Sequence, residues 1–107
     1  MLYKFKSKAA GDLIMLEPNG RRVLAIIGKD TGAKGIVLAA EMPAALGAIE
    51  AAVIQEEAEQ QAVIDAARAK GEVPPRFDSV SLRQRVVPFT DMLRRSSQAG
   101  HDIVWGV

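Results

Sequence analysis

The chain has 107 residues, with 14 Lys+Arg, 13 Asp+Glu, one His, no Cys and 49% hydrophobic residues. That length and composition describe a single domain, residues 1–107, large enough to bury a core without disulfides or metals, and they exclude a disordered chain. Having no Cys and one His excludes a thiol nucleophile, a Cys-ligated zinc, an iron–sulfur cluster and any paired-His metal motif; the net charge of +1 removes the simplest argument for nucleic acid.

At the start of the chain Tyr3 and Phe5 alternate with Lys4 and Lys6, which predicts a half-buried strand. No apolar stretch reaches the length of a signal peptide or of a membrane span, so the expected address is the cytoplasm. Leu13-Ile14-Met15-Leu16 is an apolar run too short to classify by period. Residues 18–28 admit two readings. Asn19-Gly20 is a hairpin signal. Pro18 suits a first helical turn, Gly28 suits the position after a last one, and Val23, Ile26 and Ile27 share a helical face. The helix is preferred and the hairpin stays open. Lys29 to Gly35 reads as a loop, and Ile36-Val37-Leu38 as a short strand or an apolar plug.

The clearest element is a long helix over about 42–70. It has ten alanines and Pro43 in its first turn; Gly71 and Pro74-Pro75 follow it. Its seam runs Leu46, Ile49, Val53, then Glu56 and Gln60, then Val63 and Ala67, so it is polar in the middle. Such a helix packs on two different neighbours or leaves its central turns in water. A second amphipathic helix is predicted over about 79–97, capped by Ser79 or Ser81. Its seam of Leu82, Val86, Phe89 and Leu93 is unbroken, and Pro88 is expected to kink or weaken it. Ile103-Val104-Trp105 reads as a last strand, expected to pair with residues 2–6 and to bury Trp105.

Charge is segregated. Residues 1–40 hold seven basic and three acidic groups, residues 41–72 two and seven, and residues 73–107 five and three. The simplest arrangement folds the basic ends against the acidic middle. Glu56, Glu57, Glu59 and Asp65 lie on the long helix with no His at the spacing of a metal site, and read as a solvated face. The loop Gly28-Lys29-Asp30-Thr31-Gly32-Ala33-Lys34-Gly35 lacks the spacing of a phosphate-binding loop. His101 and Arg94-Arg95 suit the end of a helix. Lys4, Lys6 and Lys8 with Arg83 and Arg85 form a candidate anion or nucleic-acid surface. No aromatic is interleaved there to stack bases, and lysines also guard an edge strand.

Tyr3-Lys4-Phe5-Lys6-Ser7, Ile14-Met15-Leu16, Ile26-Ile27-Gly28-Lys29, Gly35-Ile36, Met42-Pro43-Ala44, Ser81-Leu82-Arg83-Gln84-Arg85, Met92-Leu93 and Ile103-Val104-Trp105-Gly106-Val107 together resemble a small bacterial family of about this length, catalogued as a domain of unknown function. The resemblance implies a stand-alone bacterial cytoplasmic protein and carries over no activity, cofactor or site residue.

These readings converge on an α+β fold. A small sheet from the two chain ends packs on the long helix and the second helix, with a short N-terminal helix or hairpin. The expected core is Tyr3, Phe5, Leu16, Val23, Ile27, Leu46, Ile49, Val53, Leu82, Val86, Phe89, Leu93 and Trp105. The leading functional expectation is a non-enzymatic interaction protein acting through its helical arm. If the seam Leu82, Val86, Phe89 and Leu93 is left partly uncovered, a second copy or an unknown partner protein covers it. The alternative is a nucleic-acid or anion binder using the basic ends. An enzyme comes third, and an Arg83 or Arg85 beside Asp91 would revive it. No cofactor, metal or catalytic residue is expected.

Overall fold

Both chain ends enter one sheet. The computed structural model describes residues 2–77 and 81–106. Strand β1 (Leu2–Ser7) turns back at Lys8-Ala9 into β2 (Ala10–Leu16), so the apolar run at 13–16 is the end of a strand. Helix α1 (Glu17–Ile26) follows, then β3 (Gly35–Val37), a one-turn 3-10 helix (Ala39–Glu41), α2 (Met42–Ala69), α3 (Leu82–Ala99) and β4 (Ile103–Trp105). The order across the sheet is β2-β1-β4-β3, and every pair is antiparallel. The tail pairs with the first strand as expected: Phe5 lies opposite Trp105 and Lys6 opposite Val104. Because β4 takes one side of β1 and β2 the other, β1 is an interior strand. The edge-guarding role expected of its lysines does not apply.

Residues 18–28 are helical, and the hairpin reading falls. Gly20 serves packing rather than a turn, since it is buried and a Cβ there would overlap the Tyr3 ring. Gly35 is the second place where only hydrogen fits. It pairs with Trp105 across β3 and β4, and the indole lies where its Cβ would be.

Alternate residues of the strands point at the helices. Tyr3, Phe5, Met15, Val37, Ile103 and Trp105 are buried there with Val23 and Leu24 of α1. Phe5 is the hub: its ring centroid is 5.0 Å from Phe89 and 5.9 Å from Trp105, both edge-on, a favourable aromatic geometry. Leu16 was expected in the core and is 63% exposed. Met15 takes the inward position, and the period of two turns Leu16 outward. Ile27 and Leu46 are half-buried against the core rather than inside it.

Helix α2 buries Met42, Ala45, Ile49 and Val53, all in its first half. Beyond Val53 it projects from the body. The molecule measures 53 × 28 × 21 Å, with a radius of gyration of 16.1 Å, against about 13 Å for a compact chain of this length. Helix α3 opens with a reciprocal cap at Ser81: Gln84 N–H donates to Ser81 Oγ (3.3 Å) and Ser81 N–H to Gln84 Oε1 (3.2 Å). Ser79 lies outside the described residues. Pro88 sits on the exposed face, and α3 continues through it. At its other end His101 N–H donates to Ser96 O (2.9 Å).

Candidate functional site

The seam of α3 is part of the core. Leu82, Val86, Phe89 and Leu93 are all buried, covered by the sheet and by the first half of α2. They offer no sticky patch, and the N-terminal layer supplies the apolar partners that α2 alone lacks. The exposed apolar side chains lie elsewhere.

The five basic residues do not share one surface. Lys4 and Lys6 point outward from β1, and Lys8 lies in the turn after it. Arg83 lies on α3 and faces α2: its guanidinium donates to both Glu57 carboxylate oxygens (2.9 and 3.0 Å) and reaches Glu50 at 3.7 Å. The Glu57 hydrogen bond raises the Arg83 pKa, and the same contact lowers that of Glu57. Arg85 donates to Asn19 Oδ1 at 2.9 Å. Asp91 pairs with Arg95 at 3.2 Å rather than with Arg83 or Arg85.

Two other sequence features are absorbed by structure. The loop Lys29–Gly35 is pinned by two aromatic side chains: Tyr3 Oη donates to Thr31 O (2.7 Å) and Trp105 Nε1 to Gly32 O (3.2 Å). The acidic stretch of α2 is spent on neighbours. Glu56 pairs with Arg22 and accepts from Leu82 N–H at the start of α3, which joins α1, α2 and α3 where the α2 seam turns polar. Glu59 and Asp65 accept from Gln55 and Gln61 one turn away. Among the described residues no three His, Cys, Asp or Glu are grouped to hold a metal ion.

Two recesses lie beside these residues. The larger, about 680 Å³, lies at the base of the projecting half of α2, between Asn19, Arg22, Glu56, Arg76, Phe77 and Arg85. Its charges are mixed, and Arg22 and Glu56 are spent on tying the helices together.

The second belongs to the outer face of the sheet. Among the described residues no helix covers that face. Leu2 and Leu16 are opposite each other on β1 and β2, as are Lys4 and Ile14; Val104 of β4 lies between Lys6 and Ile36. Leu2, Ile14, Leu16 and Ile36 are 55, 58, 63 and 41% exposed. Lys4 pairs loosely with Asp12 at 3.5 Å. At the β4–β3 end the face dips into a recess of about 450 Å³ lined by Lys6, Lys8, Ile36, His101, Asp102 and Val104. Asp102 Oδ1 accepts from Ala39 N–H (2.8 Å). Lys6, Lys8 and His101 make no side-chain ion pair or hydrogen bond with any described residue. This face was hidden in the sequence because it forms only when four strands from three stretches of chain align. The outward alternation of Leu2, Lys4, Lys6 and of Ile14, Leu16 was its one local signal.

The chain belongs to the family described as a domain of unknown function, DUF1840, whose sequence profile matches residues 1–105. No curated protein and no solved structure matches it. Among the described residues no helix is long and apolar enough to cross a membrane.

Proposed function

We propose that this protein is a non-enzymatic cytoplasmic binding module that docks a segment of another protein, aliphatic and acidic in character, on the outer face of its sheet. The observation that supports this is the juxtaposition on one uncovered face of four exposed aliphatic side chains with Lys6 and Lys8, which have no ion-pair partner among the described residues. Exposed aliphatic groups gathered on one face favour a protein partner. The surplus of positive charge asks for an acidic one.

A second copy fits this face less well. Strands of six, seven, three and three residues, at about 3.3 Å per residue and about 4.8 Å spacing, give roughly 300 Å², against about 800 Å² per partner in a stable interface. Face-to-face packing of two copies also brings lysines towards lysines. The nucleic-acid reading has less support, because the face carries no aromatic to stack a base and Arg83 and Arg85 lie elsewhere.

Selecting a displayed random-peptide library on the immobilised protein tests the reading. Sequences that combine Asp or Glu with Ile, Leu or Val should be enriched, and Ile14→Asp should abolish the enrichment without lowering the melting temperature. Enrichment of basic peptides, or enrichment unchanged by Ile14→Asp, overturns it.

A further inference from the structure

We infer that the recess at the β4–β3 end of the sheet is an anchor for a side-chain carboxylate of that partner, with an aliphatic neighbour seated on Ile36 and Val104. This rests on the proposed docking face and names the chemistry that the face recognises.

The charge distribution points to this recess. Elsewhere six cations meet an acid of the same chain: Lys4 with Asp12, Arg21 with Glu17, Arg22 with Glu56, Lys29 with Glu41, Arg83 with Glu57 and Arg95 with Asp91; the recess differs in drawing three basic side chains together. Around this recess Lys6, Lys8 and His101 converge from β1, the following turn and the α3–β4 connection, and the one acid among them, Asp102, holds Ala39 N–H. The site therefore has donors to spare above an apolar floor, which is the composition of a small ligand pocket.

The walls are built rather than incidental. The β1–β2 register shifts between Phe5 and Ser7, where Gly11 and Asp12 of β2 both lie across from Lys6, and irregularities of this kind bend the sheet locally. Ser7 is then fixed by a 2.7 Å hydrogen bond between its hydroxyl and that of Ser96, which is fully buried on α3. The Asp102–Ala39 bond holds the opposite wall.

A chain-terminal carboxylate is the poorer fit. Terminal carboxylates are captured by free backbone N–H groups, and here the N–H groups of Gly100 and His101 are used on Ser97 O and Ser96 O in the α3 cap. Ammonium and imidazole donors suit a side-chain acid reaching in from an extended segment.

The test is an amide NMR titration of the isotope-labelled full chain with acetyl-Ile-Glu-Val-amide. Shifts should centre on Ile36, His101 and Val104. Acetyl-Ile-Gln-Val-amide should bind about tenfold more weakly, the worth of one charge-assisted hydrogen bond. Lys6→Ala/Lys8→Ala should erase that difference while leaving the melting temperature unchanged. Equal binding of the Glu and Gln peptides, or a difference that survives the double variant, overturns the anchor. So does tighter binding of acetyl-Ile-Gln-Val with a free carboxyl terminus than of the Glu peptide. Shifts confined to Leu2, Ile14 and Leu16 would overturn the anchor and leave the docking face standing. No shift anywhere on the sheet would overturn both.

Discussion

The two halves of α2 are one helix held by different forces. From Met42 to Val53 it buries Met42, Ala45, Ile49 and Val53 in the core. From Ile54 to Ala69 no residue is buried, and the backbone is supported by alanine propensity and by side-chain pairs one turn apart, Gln55–Glu59, Gln60–Glu56 and Gln61–Asp65. The boundary falls at Glu56, where the carboxylate gathers Arg22 and the first N–H of α3. A continuous helix therefore does not imply a continuous core. A helix that outlives its packing needs strong local propensity, and five of its ten alanines, from Ala58 to Ala69, supply it there.

The contrast can be broken most severely from the far end of the chain. The first half of α2 leans on a core that includes Ile103 and Trp105, and β4 joins β1 to β3. Deleting residues 103–107 should abolish cooperative thermal unfolding; a truncated protein that melts like the full chain would refute the assignment. Next in size, Ile49→Ala should cost about 2–5 kcal/mol, as a large-to-small change in a packed core, whereas Val63→Ala on the projecting half should stay within about 0.5 kcal/mol. Denaturant titrations of the two variants measure the difference directly, and equal losses would mean the halves are not distinct. Smaller still, Ala66→Gly should cost about 1 kcal/mol of local helix stability. Its signature is faster amide exchange at residues 61–69 with an unchanged melting temperature, because those turns open without the core.

The smallest effect is electrostatic. Lys29 donates to Glu41, Leu38 N–H adds a second bond, and together they hold the Glu41 carboxyl below the usual range; Arg83 does the same for Glu57. A carboxyl whose pKa is lower folded than unfolded stabilises the fold above its unfolded value, about 4.3, and that contribution fades as pH falls through the folded value. Both groups are exposed, so the effect is modest and weakened by salt. Glu57→Gln should flatten the loss of stability below about pH 4.3 slightly and leave neutral-pH melting almost unchanged.

Much of this architecture is legible locally. The alternation of Tyr3 and Phe5, the seam of α3, the stop at Gly71 and the apolar tail each carry a period or a punctuation that tertiary contacts then reinforce. The misreadings share a cause. Asn19-Gly20 looks like a hairpin because the reason for Gly20, the Tyr3 ring, arrives from another element. Leu16 looks like core because a run of four apolar residues does not say which pair points inward. The lysines of β1 look like edge guards because the strand on their other side is encoded about a hundred residues later. The uncovered sheet face was invisible for the same reason, being assembled across four strands with no motif in any one of them.

That last pairing also dictates when the domain becomes itself. During vectorial synthesis the β1–β2 hairpin and the three helices emerge before residues 103–105, the strand that occupies the middle of the sheet. Until then Phe5 and Phe89 lack the indole that completes their cluster, and β3 has no neighbour to join. Closure rests on contacts of very long sequence separation, which are slow to form, so the nascent chain passes through a stage with its aromatic core open to chaperones and to aggregation.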